Sequence, residues 1–389
     1  MSQIKPDNTL AVPRDSWDRA PWNRWSFQHV REVVPTVEVW RGTGAVKALA
    51  QRPKNLDKLM VENTGGEKIS FDKFLDETFT DGFLVLHRGE IVYERYLNGM
   101  TPRSLHLSQS VAKSVVGMTA GILVGQGLLD PAQLVSHYLT ELSEGAWKGA
   151  SLQHVLDMTS GDKFDETYTD PHSDMGQLDV SCGWKPIPAG SDPSLKWPTH
   201  VWEQILNLKQ QLRPHGEAFE YRSIETDVLA FCMERATGKR LAQIVSEELW
   251  QKLGVEESAC FTVDPAGYAL ADGGFNATLR DYARFGQMVL SGGQGIVPAS
   301  WIEETRHADH NIFHAPYNIT LPNGGYHNQF WVEDSKSRNL LARGVFGQLI
   351  YIDFAHEMVV VKLSTWPDFL NAKLTIATLA AVRDIAATL

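Results

Sequence analysis

A serine three residues before a lysine on a helix faces the same way, so the lysine amine can lie beside the serine hydroxyl and take its proton. The spacing Ser-x-x-Lys occurs four times in this chain, as Ser2/Lys5, Ser70/Lys73, Ser110/Lys113 and Ser160/Lys163. Only Ser110 stands at the start of a strongly apolar run, in which Val111, Val115, Met118, Ile122 and Leu123 recur at helical spacing. There the unpaired N–H groups and the macrodipole of a helix N-terminus would stabilise an oxyanion, and burial would lower the amine pKa of Lys113. Ser110 and Lys113 are therefore the candidate nucleophile and general base of an acyl transfer.

Two further segments suit such a site. Tyr221-Arg222-Ser223 precedes a helical run. A phenol near two ammonium groups ionises more easily and can shuttle a proton between nucleophile and leaving group; the plainer reading is a half-buried tyrosine. In Ala342-Arg343-Gly344-Val345-Phe346-Gly347, on a predicted strand, the glycine would let substrate lie against the strand. The N–H of Val345 would pair with that of Ser110 as an oxyanion hole, although such glycines also mark simple bulges. His307, His310 and His314 have metal-ligand spacing, but Pro316 and polar surroundings favour a solvated loop, and no metal is expected. The phosphate loop, the dinucleotide fingerprint, the nucleophile elbow and His-Glu-x-x-His are all missing, so no cofactor is expected either.

These residues must be held by a body of 389 residues, long enough for two or three domains or one large one. With 43 % hydrophobic and 21 % charged residues the chain is globular rather than disordered. Its net charge of −11, with no basic run, argues against a nucleic-acid partner. Cys182, Cys232 and Cys260 read as free thiols of a reducing compartment. The N-terminus lacks the pattern of a secretory signal, and the most apolar stretch, 115–129, is interrupted by Gly117, Thr119, Gly125 and Gln126. The expectation is a cytoplasmic protein with no membrane span.

Residues 1–80 hold Trp17, Trp22, Trp25 and Trp40 without sustained periodicity and read as an extension packed irregularly on the body. Two β-rich runs around His87-Arg88-Gly89-Glu90 predict a hairpin, followed by the buried helix after Ser110. From about 130 to 245, short amphipathic segments alternate with polar loops, the longest spanning 163–193. Strands return near 330–332, 340–343, 348–353 and 358–364, and a helix over 367–389 ends the chain. This order predicts an α/β body interrupted by a helical insertion. Trp184, Trp197 and Trp331 either line a pocket or fill the core, with core favoured for each.

The segments Leu107-Ser108-Gln109-Ser110-Val111-Ala112-Lys113-Ser114, Leu156-Asp157-Met158-Thr159-Ser160-Gly161, Tyr221-Arg222-Ser223, 273–281 and Gly344-Val345-Phe346-Gly347 follow an order and spacing that resembles the serine β-lactamase-like superfamily. Within it, Ser-Val-Ala-Lys-Ser and the loop Glu166-Thr167-Tyr168-Thr169-Asp170-Pro171 are most similar to the 6-aminohexanoate-dimer hydrolases. The resemblance implies an antiparallel sheet flanked by helices with an inserted all-helical region. It puts 1–107 and 230–389 in an α/β domain, and 108–229 in a helical domain carrying the nucleophile and the substrate loop. It implies attack by Ser110 on an ester or amide, with Lys113 as base, Tyr221 moving the proton, and the N–H groups of Ser110 and Val345 holding the oxyanion. Tyr168 would hydrogen-bond an amide leaving group from a mobile loop, and Asp179 and Asp272 would meet a substrate ammonium at the far end. Relatives of this kind are often homodimers, which makes a homodimer one open reading of the oligomeric state.

Two departures shape the reading. The β-lactamases and D-peptidases place Lys or His where this chain has Ala342, and Arg343, on the opposite face of the strand, is not expected to replace it. Ser223 stands where many members have Asn. Small linear amides and short-chain esters are therefore the favoured substrates. A β-lactamase or D-amino-acid peptidase, or a catalytically silent binding module on the same fold, are the alternatives.

Overall fold

The computed structural model describes residues 12–389, so the Ser2/Lys5 pair lies outside the described residues. The predicted hairpin forms from strands Thr80–His87 and Glu90–Tyr96. They are joined by Arg88 and Gly89 at φ 52° and 79°, the primed-turn geometry that follows the twist of the paired strands. They belong to an eight-stranded sheet ordered Gly325–His327, Phe330–Val332, Leu340–Gly344, Gln348–Asp353, Met358–Ser364, Thr80–His87, Glu90–Tyr96 and Ala50–Gln51. All neighbours run antiparallel except at the last edge, where Ala50–Gln51 pairs in parallel with Glu90–Ile91.

Both faces of this sheet are covered, and alternate residues of each strand enter different cores. Leu84, Leu86, Ala342, Ile350 and Val359 pack with the helices Val111–Gly125 and Leu279–Leu290. Phe83, Val85, Leu341, Leu349 and Val360 pack with Phe71–Glu77 and the terminal helix Ala372–Ala386. The helix Val111–Gly125 is buried from Val111 to Leu123, because helix Ile224–Thr237 and further short helices close over its other side. Helix Ile224–Thr237 runs unbroken across residues 229 and 230. No helix among the described residues is long and apolar enough to cross a membrane.

Three expectations need revision. The stretch 163–193 is not continuous loop but contains the helix Asp174–Ser181, whose cap is the Ser173 hydroxyl accepting from Gly176 N at 3.0 Å. The terminal helix starts at Ala372 rather than Pro367, capped by Asn371. Residues 12–80 are more ordered than their lack of periodicity suggests. Thr36–Val39 joins a second sheet with Ala259–Thr262, Phe275–Ala277 and His106–Leu107, and Trp17 is fully buried with its indole N–H on Trp184 O at 3.0 Å.

Candidate active site

The nucleophile candidate sits on a sharp turn. Ser108 is tied to the second sheet by its N–H and its hydroxyl, both donating to Phe275 O at 3.0 Å. Gln109 then adopts φ 51°, and Ser110 becomes the N-cap of helix Val111–Gly125. One helical turn on, the buried Lys113 Nζ donates to Ser110 Oγ at 3.0 Å, Ser223 Oγ at 3.2 Å and Asp272 O at 2.7 Å. Three acceptors match the three protons of an ammonium. Burial pulls the Lys113 pKa down, but Tyr221, Asp272 and Glu166 outweigh it and hold the amine above its ordinary value. The depressed lysine expected from burial alone is thus corrected: Lys113 rests charged.

The other Ser-x-x-Lys pairs within the described residues are structural. Ser70 Oγ caps helix Phe71–Glu77 while Lys73 pairs with Glu77 at 3.3 Å. Ser160 Oγ donates to Asp162 at 2.6 Å inside a buried Arg222–Asp162–Glu225 cluster, and Lys163 is exposed.

Tyr221 comes from the segment leading into helix Ile224–Thr237, with its ring stacked on Trp331 at 5.3 Å and Lys113 Nζ 5.1 Å from its centroid. Burial raises the phenol pKa despite Lys113 and Ser110, which both favour the phenolate. The eased ionisation expected from two ammonium groups is absent, since Lys113 is the one ammonium beside it. Ser223, the N-cap of the same helix, donates its N–H and its hydroxyl to Glu166, at 2.8 and 2.6 Å. Tyr168 donates its hydroxyl to Glu166 as well, at 2.8 Å. Glu166 was not singled out from the sequence, because Ser223, which it holds, lies 57 residues along the chain and spacing does not reveal it. Burial raises its pKa, against the pull of Lys113. From outside, Arg19 donates to Tyr168 O at 3.2 Å and covers the Phe369 ring at 4.8 Å.

The oxyanion-hole candidates converge because Gly344 has no side chain: a Cβ there would lie 2.4 Å from Ser108 O. The glycine thus admits the turn that carries Ser110, and it also lines the adjoining cavity. Beyond it, the N–H groups of Val345 and Ser110 donate in none of the turn and loop hydrogen bonds among the described residues. Phe346, at φ 62°, turns the chain away at once, anchored by its N–H on Phe369 O at 2.9 Å.

Ser110, Tyr168 and Val345 separate two hollows. The larger, a cavity of about 450 Å³, is lined by Tyr221, Glu166, Tyr317, Trp331, Arg343 and Phe369 among others. The smaller, a recess of about 20 Å³, holds Asp179, Asp272, Cys182 and Trp184. Asp179 is met by Lys185 at 2.7 Å, itself shared with Asp18 at 3.1 Å. Asp272 turns its carboxylate to Lys113 at 3.6 Å, so it already faces a cation of the protein itself. Arg343 does occupy the face opposite Ala342, but that face opens into the larger cavity where the terminal helix stops covering it. Strand alternation thus separates it from Ala342 without keeping it out of the cavity. Trp331 does both, packing against the core beside Phe219 and Tyr326 and lining the cavity wall.

His307 contacts Arg338, and His310 Nδ1 lies 3.0 Å from Gly324 O. Among the described residues no three His, Cys, Asp or Glu side chains gather as a metal site.

A profile of the beta-lactamase family matches residues 71–383. A 6-aminohexanoate-dimer hydrolase of Paenarthrobacter ureafaciens is 36 % identical over 363 residues, covering 91 % of this chain and 88 % of the relative. A solved structure from Bacillus anthracis, provisionally described as a 6-aminohexanoate-dimer hydrolase, superposes with a TM-score of 0.88 at 28 % identity, covering 98 % of each chain. A family VIII carboxylesterase shares the fold, with a TM-score of 0.60 at 15 % identity over 81 % of this chain and 95 % of that one. Sequence match and sheet architecture thus agree over most of the length, and the chain belongs to the beta-lactamase family as a serine hydrolase.

Proposed function

We propose that this enzyme cleaves small linear amides and short-chain carboxylic esters through an acyl-enzyme on Ser110, with Lys113 and Tyr221 moving the protons. The observation that carries the reading is the 3.0 Å contact of Lys113 Nζ with Ser110 Oγ at a helix N-terminus, beside two N–H groups free to hold an oxyanion. The 6-aminohexanoate-dimer hydrolase relative supports a linear amide as substrate.

A charged lysine cannot accept the serine proton until it gives one up. Ser223 Oγ lies between Lys113 and Glu166, receiving a hydrogen bond at 3.2 Å and giving one at 2.6 Å. One Lys113 proton passes to Ser223 Oγ while the Ser223 proton passes to Glu166, leaving a neutral amine and a carboxylic acid. Lys113 then takes the Ser110 proton as Oγ bonds to the carbonyl carbon, and the oxyanion forms against the N–H groups of Ser110 and Val345. The tetrahedral intermediate collapses, the leaving group departs with a proton relayed from Lys113 through the Tyr221 hydroxyl, and water releases the acyl group by the reverse sequence.

The test is p-nitrophenyl acetate hydrolysis followed through its first turnover, then cleavage of the 6-aminohexanoate linear dimer. One equivalent of p-nitrophenol released in a burst, lost in Ser110→Ala with a fall in kcat/KM of at least about 10³, is the expected result. Full activity in Ser110→Ala would place the nucleophile elsewhere. No turnover of ester or amide by the wild type would overturn the reading.

A further inference from the structure

Arg343 is the charged group in the larger cavity with no opposite charge beside it. Of the two carboxylates lining that cavity, Glu220 accepts from Arg222 Nη2 at 2.5 Å and from Arg213, while Glu166 is held by Ser223 and Tyr168. The guanidinium of Arg343 donates Nη1 to the neutral Thr320 Oγ1 at 3.2 Å and lies over the Trp331 ring at 5.0 Å. No carboxylate among the described residues pairs with it. Burial pulls its pKa down to about 10, so it stays charged at neutral pH. A half-buried cation without a counter-ion carries an uncompensated desolvation cost, which an anion arriving with the substrate would remove. The planar fork of arginine suits a carboxylate.

The two hollows also say which half of the substrate carries that anion. Tyr221, the group that would protonate the departing atom, lines the larger cavity together with Arg343, whereas Asp179 and Asp272 line the recess on the other side of Ser110. The leaving group therefore lies in the larger cavity. Its walls are apolar at Trp331, Leu349, Phe369 and Leu379, and its rim exposes Ile319 and Leu370.

We infer that Arg343 makes this enzyme select amides and esters whose leaving group is an amphiphilic anion, a carboxylate carried beyond an apolar spacer. The inference rests on the hydrolase reading above and names the substrate class for the same site. Wild-type enzyme should prefer 4-carboxyphenyl acetate over 4-carbamoylphenyl acetate, two esters that differ in the charge of the leaving group. That preference, as a ratio of kcat/KM values, should fall about tenfold to a hundredfold in Arg343→Met, the effect of one charge-assisted hydrogen bond, and should be partly kept in Arg343→Lys. Comparing ratios cancels the intrinsic reactivities of the two esters. Calorimetry with hexanoate against hexanamide reads the same site without turnover, and tighter hexanoate binding should disappear in Arg343→Met.

If both esters fall together in Arg343→Met, the residue acts on Tyr221 or on the fold and the inference is wrong. If hexanoate binds the wild type no better than hexanamide, it is wrong whatever the hydrolysis shows. Arg343-dependent hexanoate binding without turnover of either ester would overturn the hydrolase reading and leave the anion site standing.

Discussion

Gly344→Ala tests whether the distance between strand and nucleophile turn sets the rate. A methyl group at 344 would meet Ser108 O at 2.4 Å and the Cβ atoms of Gln109 and Gln348 at 3.1 Å. An unstrained carbon–oxygen contact is about 3.3 Å or more. The strand end and the turn must therefore separate by about 0.9 Å. Ser108 cannot swing aside, because its N–H and hydroxyl are both fixed to Phe275 O at 3.0 Å. The movement falls between Ser110 and Val345, the two donors of the oxyanion hole. A misplacement of about 1 Å costs on the order of a hundredfold in rate, and overpacking of this kind costs about 1–3 kcal/mol of stability. In a chain of this size that is a few degrees in Tm. The assay is kcat for p-nitrophenyl acetate beside a thermal melt, with Gly149→Ala as control. Gly149 sits at φ 81° with nothing within 4 Å of its would-be Cβ, so alanine there strains the backbone away from the site. Wild-type kcat in Gly344→Ala, or an equal loss in both variants, would refute the argument.

Glu166 must be ionised to take the proton from Ser223, and its pKa lies above the ordinary carboxylate value, so kcat/KM should fall with decreasing pH already above pH 4.5. That acid limb should vanish, together with most activity, in Glu166→Gln; an unchanged profile would remove Glu166 from the relay. Lys362 is fully buried, donates to Thr78 O at 3.1 Å and to Ser364 Oγ, and has its pKa lowered by burial to about 7. A lysine depressed in the folded state destabilises it wherever the unfolded chain's amine is protonated, a penalty greatest below pH 7 and relieved as pH rises towards 10. The wild type should accordingly gain on Lys362→Met in melts between pH 7 and 10, and parallel curves would contradict the assignment. Trp17→Ala removes a fully buried indole and its hydrogen bond to Trp184 O, which should cost about 3–5 kcal/mol in denaturant titrations; a loss under about 1 kcal/mol would show that the N-terminal stretch is not part of the core.

What was legible in the sequence is what local spacing encodes. The Ser110–Lys113 contact is one helical turn, the hairpin is its Arg88-Gly89 turn, and the closing strands are short apolar runs. The protonation of Lys113 was not legible, because it depends on Tyr221, Asp272 and Glu166, which approach from three other segments. Arg343 illustrates a different failure. Strand alternation correctly put it opposite Ala342, but which face holds the cavity is decided by where the helix Ala372–Ala386 begins, and that start was drawn five residues early. The helix Asp174–Ser181 escaped because its sequence, with Gly176 in the first turn, has no apolar stripe; the fold supplies the reason for it through Gln204 Nε2 on Asp174 O at 2.7 Å and the Ser181–Gln204 bond of 2.7 Å.

Residues 17–24 touch the site from outside at several points. Arg19 holds the backbone of Tyr168, Asp18 shares Lys185 with Asp179, Trp17 is bonded to Trp184, and Asn23 Nδ2 reaches Trp366 O at 2.9 Å. Every reacting group lies beyond residue 107, and the match to the family profile starts at 71. The clasp over the Tyr168 loop is thus written upstream of the span 71–383 that the family profile matches. Two enzymes with the same serine, lysine and tyrosine can then differ in how readily that loop lifts, and in which substrates gain admission, through changes confined to a stretch that performs no chemistry.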